Sequence, residues 1–311
     1  MHLLNRLSRV AQPVAPAESP ATAGRAARGA AQGAAPASAR SADPYLPANW
    51  LRSILAAGDA QPDRTRRGAE GHIHVSGLIG FCAREHVILR LHSDQPVLNN
   101  VDAGMRIVWA LGRAAEHHVR DSVISIRRND VMGVWRCPCG ETKHTGYRPS
   151  VNCRRCQKSV HVYGEMTLFD EEAGVSGNPD VLIREGQFIV PVEIKSMNKK
   201  EWDTLAAPKG DHVFQVMGYA AILRRLRYPV HRNAIIVYVS KDYMFGSPYK
   251  EFQIDTESRS LNAQWERSRQ EAIAAHAATA SGVIPARTMC QTVDSTRAKT
   301  CKCTLQCFSR D

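Results

Sequence analysis

The run from Gln187 to Ser196 constrains this chain more than any other. Read as a strand, it places Phe188, Val190, Val192 and Ile194 on one apolar face, and points Glu193 and Lys195 together to the other. A charged pair opposite so apolar a face asks for a chemical reason. Just upstream, Gly177-Asn178-Pro179-Asp180 leads into a second strand-like run, Asp180 to Arg184. If the two runs pair antiparallel, Asp180 stands beside Glu193 and the two carboxylates can share a divalent cation. Such a pair suits Mg2+ or Mn2+, hard ions that prefer oxygen ligands. The ion would polarise a phosphate and lower the pKa of a bound water, while Lys195 could stabilise developing negative charge or orient the attacking water. These are the parts that phosphodiester hydrolysis needs. The plainer reading is a Glu–Lys surface pair on an edge strand, since a Pro-Asp followed by E-x-K recurs by accident.

The surrounding pattern predicts an α/β chain. Ser76 reads as the cap of a helix carrying Leu78, Ile79 and Cys82. Ile107, Leu111, Ala115, Val119 and Val123 recur at four-residue spacing and predict a helix over Asp102 to Ser125. Val160 to Phe169 reads as one strand, ahead of the two described above. A helix over Asp211 to Leu226 follows, then strands at Ala234 to Ser240 and Lys250 to Ile254, and a polar helix over Ser258 to Ala280. No internal repeat is visible.

Nine cysteines are many for a reducing compartment. Cys82 stands alone, Cys137, Cys139, Cys153 and Cys156 form one group, and Cys290, Cys301, Cys303 and Cys307 form another. Cys137-Pro138-Cys139-Gly140 and Cys153-Arg154-Arg155-Cys156 look like the knuckles of a zinc ribbon, four thiolates around a closed structural Zn2+. One residue instead of two separates the first pair, so His144 or His161 is an alternative ligand. Arg136, Lys143, Arg148, Arg154, Arg155 and Lys158 make this segment basic, as a finger gripping DNA would be, or as a small module held together by metal.

Taken in order, these features resemble the PD-(D/E)XK nucleases, and more narrowly the RecB-like exonucleases, including the CRISPR-associated iron–sulfur exonucleases and phage enzymes. The resemblance covers roughly residues 74 to 308. Asp180, Glu193 and Lys195 match the catalytic motif. Gln215-Val216-Met217-Gly218-Tyr219 matches the Q-x-x-x-Y that follows it, whose Gln and Tyr share a helical face. Gly112-Arg113-Ala114-Ala115-Glu116-His117 is similar to the upstream G-x-x-x-H, with Glu116 standing four after the Gly and His117 one later. The resemblance thus implies catalytic residues Asp180, Glu193, Lys195, Gln215 and Tyr219. It implies a Mg2+ or Mn2+ set of Asp180, Glu193 and Ile194, completed by Glu116 or His117. The segment Ser76 to Arg84 and the terminal C-x5-C resemble the iron–sulfur members, which implies a [4Fe–4S] cluster on Cys82, Cys290, Cys301 and Cys307, with Cys303 spare or replacing Cys301. A C-terminal zinc site is the competing reading.

The fold expected is therefore a restriction-endonuclease-like α/β core, a mixed sheet flanked by helices, with an inserted zinc ribbon and a C-terminal cysteine cluster. The expected divisions are a disordered Ala/Pro/Arg-rich tail at 1–43, a helical part at 44–135, the ribbon at 136–158, the nuclease core at 159–280 and the cysteine segment at 281–311. With 41 basic and 30 acidic residues, the formal charge of +11 favours a polyanionic partner. The substrate implied is DNA with a free end, single-stranded or frayed, in recombination, repair or phage replication, with a helicase or annealing protein as a further partner. An endonuclease and a non-catalytic accessory module are the alternatives. A helicase is excluded because no G-x-x-x-x-G-K-[ST] loop is present. No apolar run of membrane-spanning length and no secretory signal stand out, so a cytosolic protein is expected.

Overall fold

A computed structural model describes residues 71–92, 103–242 and 245–309. The expected tail at 1–43 and the start of order near Pro44 lie outside the described residues. In chain order the elements are β1 (Ile73–His74), a 3-10 turn (Val75–Leu78), α1 (Ala83–Leu91), α2 (Ala103–Arg127), β2 (Val131–Arg136), β3 (Lys143–Tyr147) and β4 (Val162–Gly164). Then come β5 (Leu168–Asp170), β6 (Val175–Gly177), β7 (Val181–Glu185), β8 (Phe188–Met197), α3 (Lys199–Thr204) and α4 (Gly210–Arg225). β9 (Asn233–Ser240), β10 (Tyr249–Asp255), α5 (Arg259–Ser281), α6 (Thr296–Thr300) and α7 (Thr304–Phe308) complete the set.

The class is α/β, with a mixed central sheet flanked by helices. Seven strands form that sheet in the order β10-β9-β8-β7-β2-β3, with β4 also pairing β2, and a three-stranded sheet runs β1-β6-β5. β8 is the pivot of the large sheet, antiparallel to β7 and parallel to β9. Its alternation splits the interior in two. Val192 and Ile194 pack with Val119 of α2 and with Val131, Trp135 and Val181. Ile189 and Met197 face the other way, toward Phe214, Met217, Tyr219 and Leu223 of α4 and Trp265 of α5. Glu193 and Lys195 share the parity of this second set, so they point to the α4 side. On the first side α2 crosses β8 closely: a Cβ on Gly112 would lie 3.0 Å from the Ser196 hydroxyl. Glycine keeps the helix and strand within reach there.

Two expectations need correction. Val160 to Phe169 is two strands in different sheets, because β4 pairs β2 whereas β5 pairs β6. Gly164 and Glu165, poor strand formers, mark the break between the two, and strand propensity carries no information about partners. Ser76 caps no α-helix; it sits inside the 3-10 turn capped by His74, and Cys82 itself is the N-cap of α1. The ribbon also shares the core: Cys137 and Cys153 are buried in the same cluster as Val181 and Val192. β1, β2, β3 and β6, and the short helices α3, α6 and α7, went unpredicted.

The small sheet is fastened to α5 by a buried ion pair. Arg269 donates from Nε to Asp170 Oδ2 at 2.6 Å and from Nη2 to Oδ1 at 3.3 Å. Both residues are almost wholly enclosed, at 2% and 5% exposure, so neither charge has water to fall back on.

α1 also packs on α5, where His86 lies against His276 with ring centroids 5.2 Å apart and its Nε2 buried without a partner. Burial first, then the charges of His276 and Arg90, lowers its pKa from 6.5 to about 4. The unfolded chain therefore takes up this proton before the folded one as pH falls. The contribution is full above pH 6.5 and is lost as pH falls toward 4. Denaturation midpoints are expected to drop across that window, and His86→Phe should make the drop shallower.

Candidate active site

The β7–β8 hairpin builds the site. Val181 pairs with Val192 in its register, which sets the preceding Asp180 opposite Glu193. Asp180 Oδ2 accepts the Ile194 backbone N–H at 2.6 Å, fixing the carboxylate against β8. Lys195 Nζ reaches Glu193 Oε1 at 2.5 Å. Glu193 is only 2% exposed, and its other oxygen, Oε2, is buried with no hydrogen-bond partner. A buried carboxylate oxygen left in this state costs free energy unless a donor or a cation meets it.

α4 closes the floor. Gln215 and Tyr219, one helical turn apart, are joined by a hydrogen bond from Gln215 Nε2 to the Tyr219 hydroxyl at 2.6 Å. That hydroxyl also weakly lowers the Glu193 pKa, without completing a hydrogen bond to Oε2. A Cβ on Gly177 would come within 2.7 Å of the Tyr219 ring, so the absent side chain is what lets the tyrosine sit there. Glu116 approaches from α2 and interacts electrostatically with Lys195, Glu165 and His117. It is partly buried, whereas His117 is exposed. Arg120 forms an ion pair with Glu165, and Tyr163 donates to the Asp180 carbonyl at 3.3 Å.

Electrostatically the cluster is short of positive charge. Burial, followed by the charge of Glu193, holds Asp180 well above the usual carboxylate range. Burial also raises Glu193, against the pull of Lys195, and it raises Glu116. Lys195 moves up as well: burial opposes its charge, but Glu193, Asp180 and Glu116 together outweigh burial. One lysine serves three carboxylates, an arrangement to which a cation would add the missing charge. Asp180, Glu193 and Glu116 are the residues that could hold one.

Two residues near the centre were missed in the sequence. Lys195 contributes to lowering the pKa of both His74 and His212, after burial in each case. His212 stands three before Gln215 and seven before Tyr219 on α4, a spacing that could have flagged it. Its Nδ1 meets the Tyr238 hydroxyl at 2.8 Å, opposite Lys195 in the β8–β9 register.

The two cysteine groups differ in geometry. Cys137, Cys139, Cys153 and Cys156 bring their sulfurs within 4.8 Å of one another, and neither His144 nor His161 joins them. Tetrahedral Zn–S bonds put sulfurs roughly 3.8 Å apart; Cys139 and Cys153 stand at 3.6 Å, and Cys137 and Cys139, across the short first knuckle, are closer still at 2.9 Å. The short first knuckle therefore does not prevent the four from converging. The Thr142 hydroxyl and then the Cys156 backbone N–H draw the Cys153 thiol down to about 6, toward the thiolate a metal needs. Among the described residues this is the one such group; the carboxylates of the active site and the other cysteines are not drawn so close. Cys303 and Cys307 are buried against Ile88 of α1, with Cys301 Sγ 3.6 Å from Cys303 Sγ. Arg84 donates to Cys307 Sγ at 3.2 Å. Glu85 accepts from Arg297 and from the Lys302 backbone, and Cys82 Sγ accepts from the Glu85 N–H. Cys290 is buried elsewhere in the same tail. The tail thus docks on α1 beside Cys82, with Cys303 more buried than Cys301.

Neither a protein-family model nor a curated protein sequence matches the chain. Among solved structures it is similar to an alkaline exonuclease (LHK-Exo) from Laribacter hongkongensis, at 16% identity and a TM-score of 0.40, over 68% of this chain and 91% of that one. LHK-Exo in complex with dAMP gives 17% identity and a TM-score of 0.39, over 68% and 89%. A likeness this distant assigns no activity. No helix among the described residues is long and apolar enough to cross a membrane.

Proposed function

We propose that the chain is a metal-dependent deoxyribonuclease of the PD-(D/E)XK type, acting on DNA ends and preferring single strands. The observation that carries this reading is the convergence of Asp180 and the Glu193–Lys195 pair on one buried point, where Glu193 Oε2 has no partner. Mg2+ or Mn2+ held there by Asp180, Glu193 and Glu116 would polarise the scissile phosphate and activate water. Lys195, its charge secured by three carboxylates, is held next to where negative charge develops on the phosphate. Tyr219 and Gln215 brace Glu193 from the α4 side, and the Ile194 N–H keeps Asp180 aimed at the same point.

The deciding assay compares linear single-stranded, linear duplex and covalently closed circular DNA with Mg2+ or Mn2+. Loss of linear DNA alone fits an exonuclease, cleavage of circles makes it an endonuclease, and tight binding without cleavage leaves an accessory module. Metal occupancy has its own readout. Mn2+ should raise the melting temperature of the protein, and Asp180→Asn should abolish that rise; a rise of equal size in the variant would remove Asp180 from the metal set.

Zn2+ in the four-cysteine ribbon is the second part of this reading. Cys137→Ser together with Cys156→Ser is expected to release about one equivalent of zinc per chain, measured by elemental analysis. A [4Fe–4S] cluster on Cys82, Cys290, Cys307 and either Cys301 or Cys303 is the third, supported by the docking of the tail on α1. Protein purified without oxygen should then be brown and contain iron, and colourless, iron-free, folded protein refutes it.

A further inference from the structure

A second feature lies on the α2 side of the large sheet. Between the C-terminal end of α2 and the ribbon strands runs a groove of about 440 Å3, whose lining includes Arg128, Arg148, His161, Ser159 and Trp135. Arg128 and His161 are exposed, and Arg148 is half-buried. Neither arginine has an ion-pair partner among the described residues, and no carboxylate is among the residues lining the groove. His161 is occupied at Nδ1 by the Ser159 carbonyl, so the phosphate contacts fall to the two arginines. Cationic and hydroxyl donors without competing carboxylates, over an apolar floor, match the chemistry of a nucleic-acid backbone.

The groove connects to the catalytic hairpin through one aromatic pair. Trp135 meets Tyr163 edge-on at 5.3 Å between centroids, and the Tyr163 hydroxyl donates to the Asp180 carbonyl at 3.3 Å. β2, which carries Trp135, pairs directly with β7. The groove, on the face opposite to the one Glu193 and Lys195 point to, is thus fixed relative to Asp180 by the β2–β7 hydrogen bonds. We propose that this groove is a phosphate-binding subsite for the DNA strand, with Arg128 and Arg148 holding backbone phosphates away from the cleaved bond. The proposal rests on the nuclease reading and adds where the strand lies.

The test measures binding of a fluorescent single-stranded oligonucleotide in a Lys195→Ala background, so that the DNA survives. Arg128→Glu combined with Arg148→Glu is expected to weaken binding about tenfold or more, equally for different base sequences. Loss of two phosphate contacts should make the slope of log K against log salt shallower by roughly 1.4. The lysine pair Arg128→Lys with Arg148→Lys should keep most of the affinity, and Arg267→Glu, on α5 across the sheet, should change nothing. Retained zinc and an unchanged melting temperature show that the variant is folded. Unchanged affinity and salt slope in that folded variant overturn the groove while the nuclease reading stands, as does an equal loss in Arg267→Glu. A parent protein that neither binds nor degrades DNA sinks both.

Discussion

Lys195→Ala is expected to lower DNA hydrolysis by about a hundredfold to a thousandfold while leaving DNA affinity within about twofold, the range seen when one preorganised electrostatic stabiliser is removed. The asymmetry follows from position. Lys195 Nζ is committed to Glu193, and only about a quarter of its side chain is exposed, so little of it is offered to a resting substrate. Its charge matters most once the phosphate gains negative charge. Single-turnover rates and equilibrium binding, measured on the same oligonucleotide, separate the two effects. Undiminished hydrolysis would remove Lys195 from the chemistry; equal losses in rate and affinity would make it a binding residue instead.

Asp170→Ala is expected to destabilise the fold by about 3–5 kcal/mol, because it strands the Arg269 guanidinium in the interior. Arg269 keeps Glu172 and Glu266, but both are themselves substantially exposed, at 69% and 45%. For a chain of this size the melting temperature should fall by roughly 10 °C. Asp170→Leu together with Arg269→Met should recover much of the loss, since an apolar pair asks for no desolvation of charge. If the single variant melts within a degree or two of the parent, the pair contributes little. If the double variant is worse than the single, the pair is needed for more than charge balance.

How much of this was legible in the sequence depends on how local each cause is. The shared direction of Glu193 and Lys195 follows from strand alternation alone, and the structure repeats it. The place of Asp180 needs only a tight hairpin, and Gln215 with Tyr219 needs only helical spacing. Partner choice is different. That β4 and β5 belong to separate sheets, or that Arg269 answers Asp170 from 99 residues away, depends on tertiary contacts that no short window holds. The cysteines show both cases. The ribbon was read from its knuckles, yet the burial of Cys303 in preference to Cys301 is set by how the tail lies on Ile88. Between Glu116 and His117 the sequence left the choice open; α2 turns Glu116 toward Lys195 and leaves His117 in solvent.

Because Cys137 and Cys153 are buried in the same cluster as Val181, Val192 and Ile194, the ribbon and the catalytic hairpin form one packed unit. If both proposed metals are bound, a chelator meets two kinds of dependence, with different memories. Ions taken from the carboxylates should be replaced at once by added Mg2+. Zinc taken from the thiols would loosen the wall behind β8, and the lost activity would return only after zinc was restored and the wall had repacked. On the proposed nuclease reading, stopping a reaction with EDTA and restarting it with magnesium alone would thus give full recovery after seconds and progressively less after longer exposure, a clock for the integrity of the ribbon read through DNA hydrolysis.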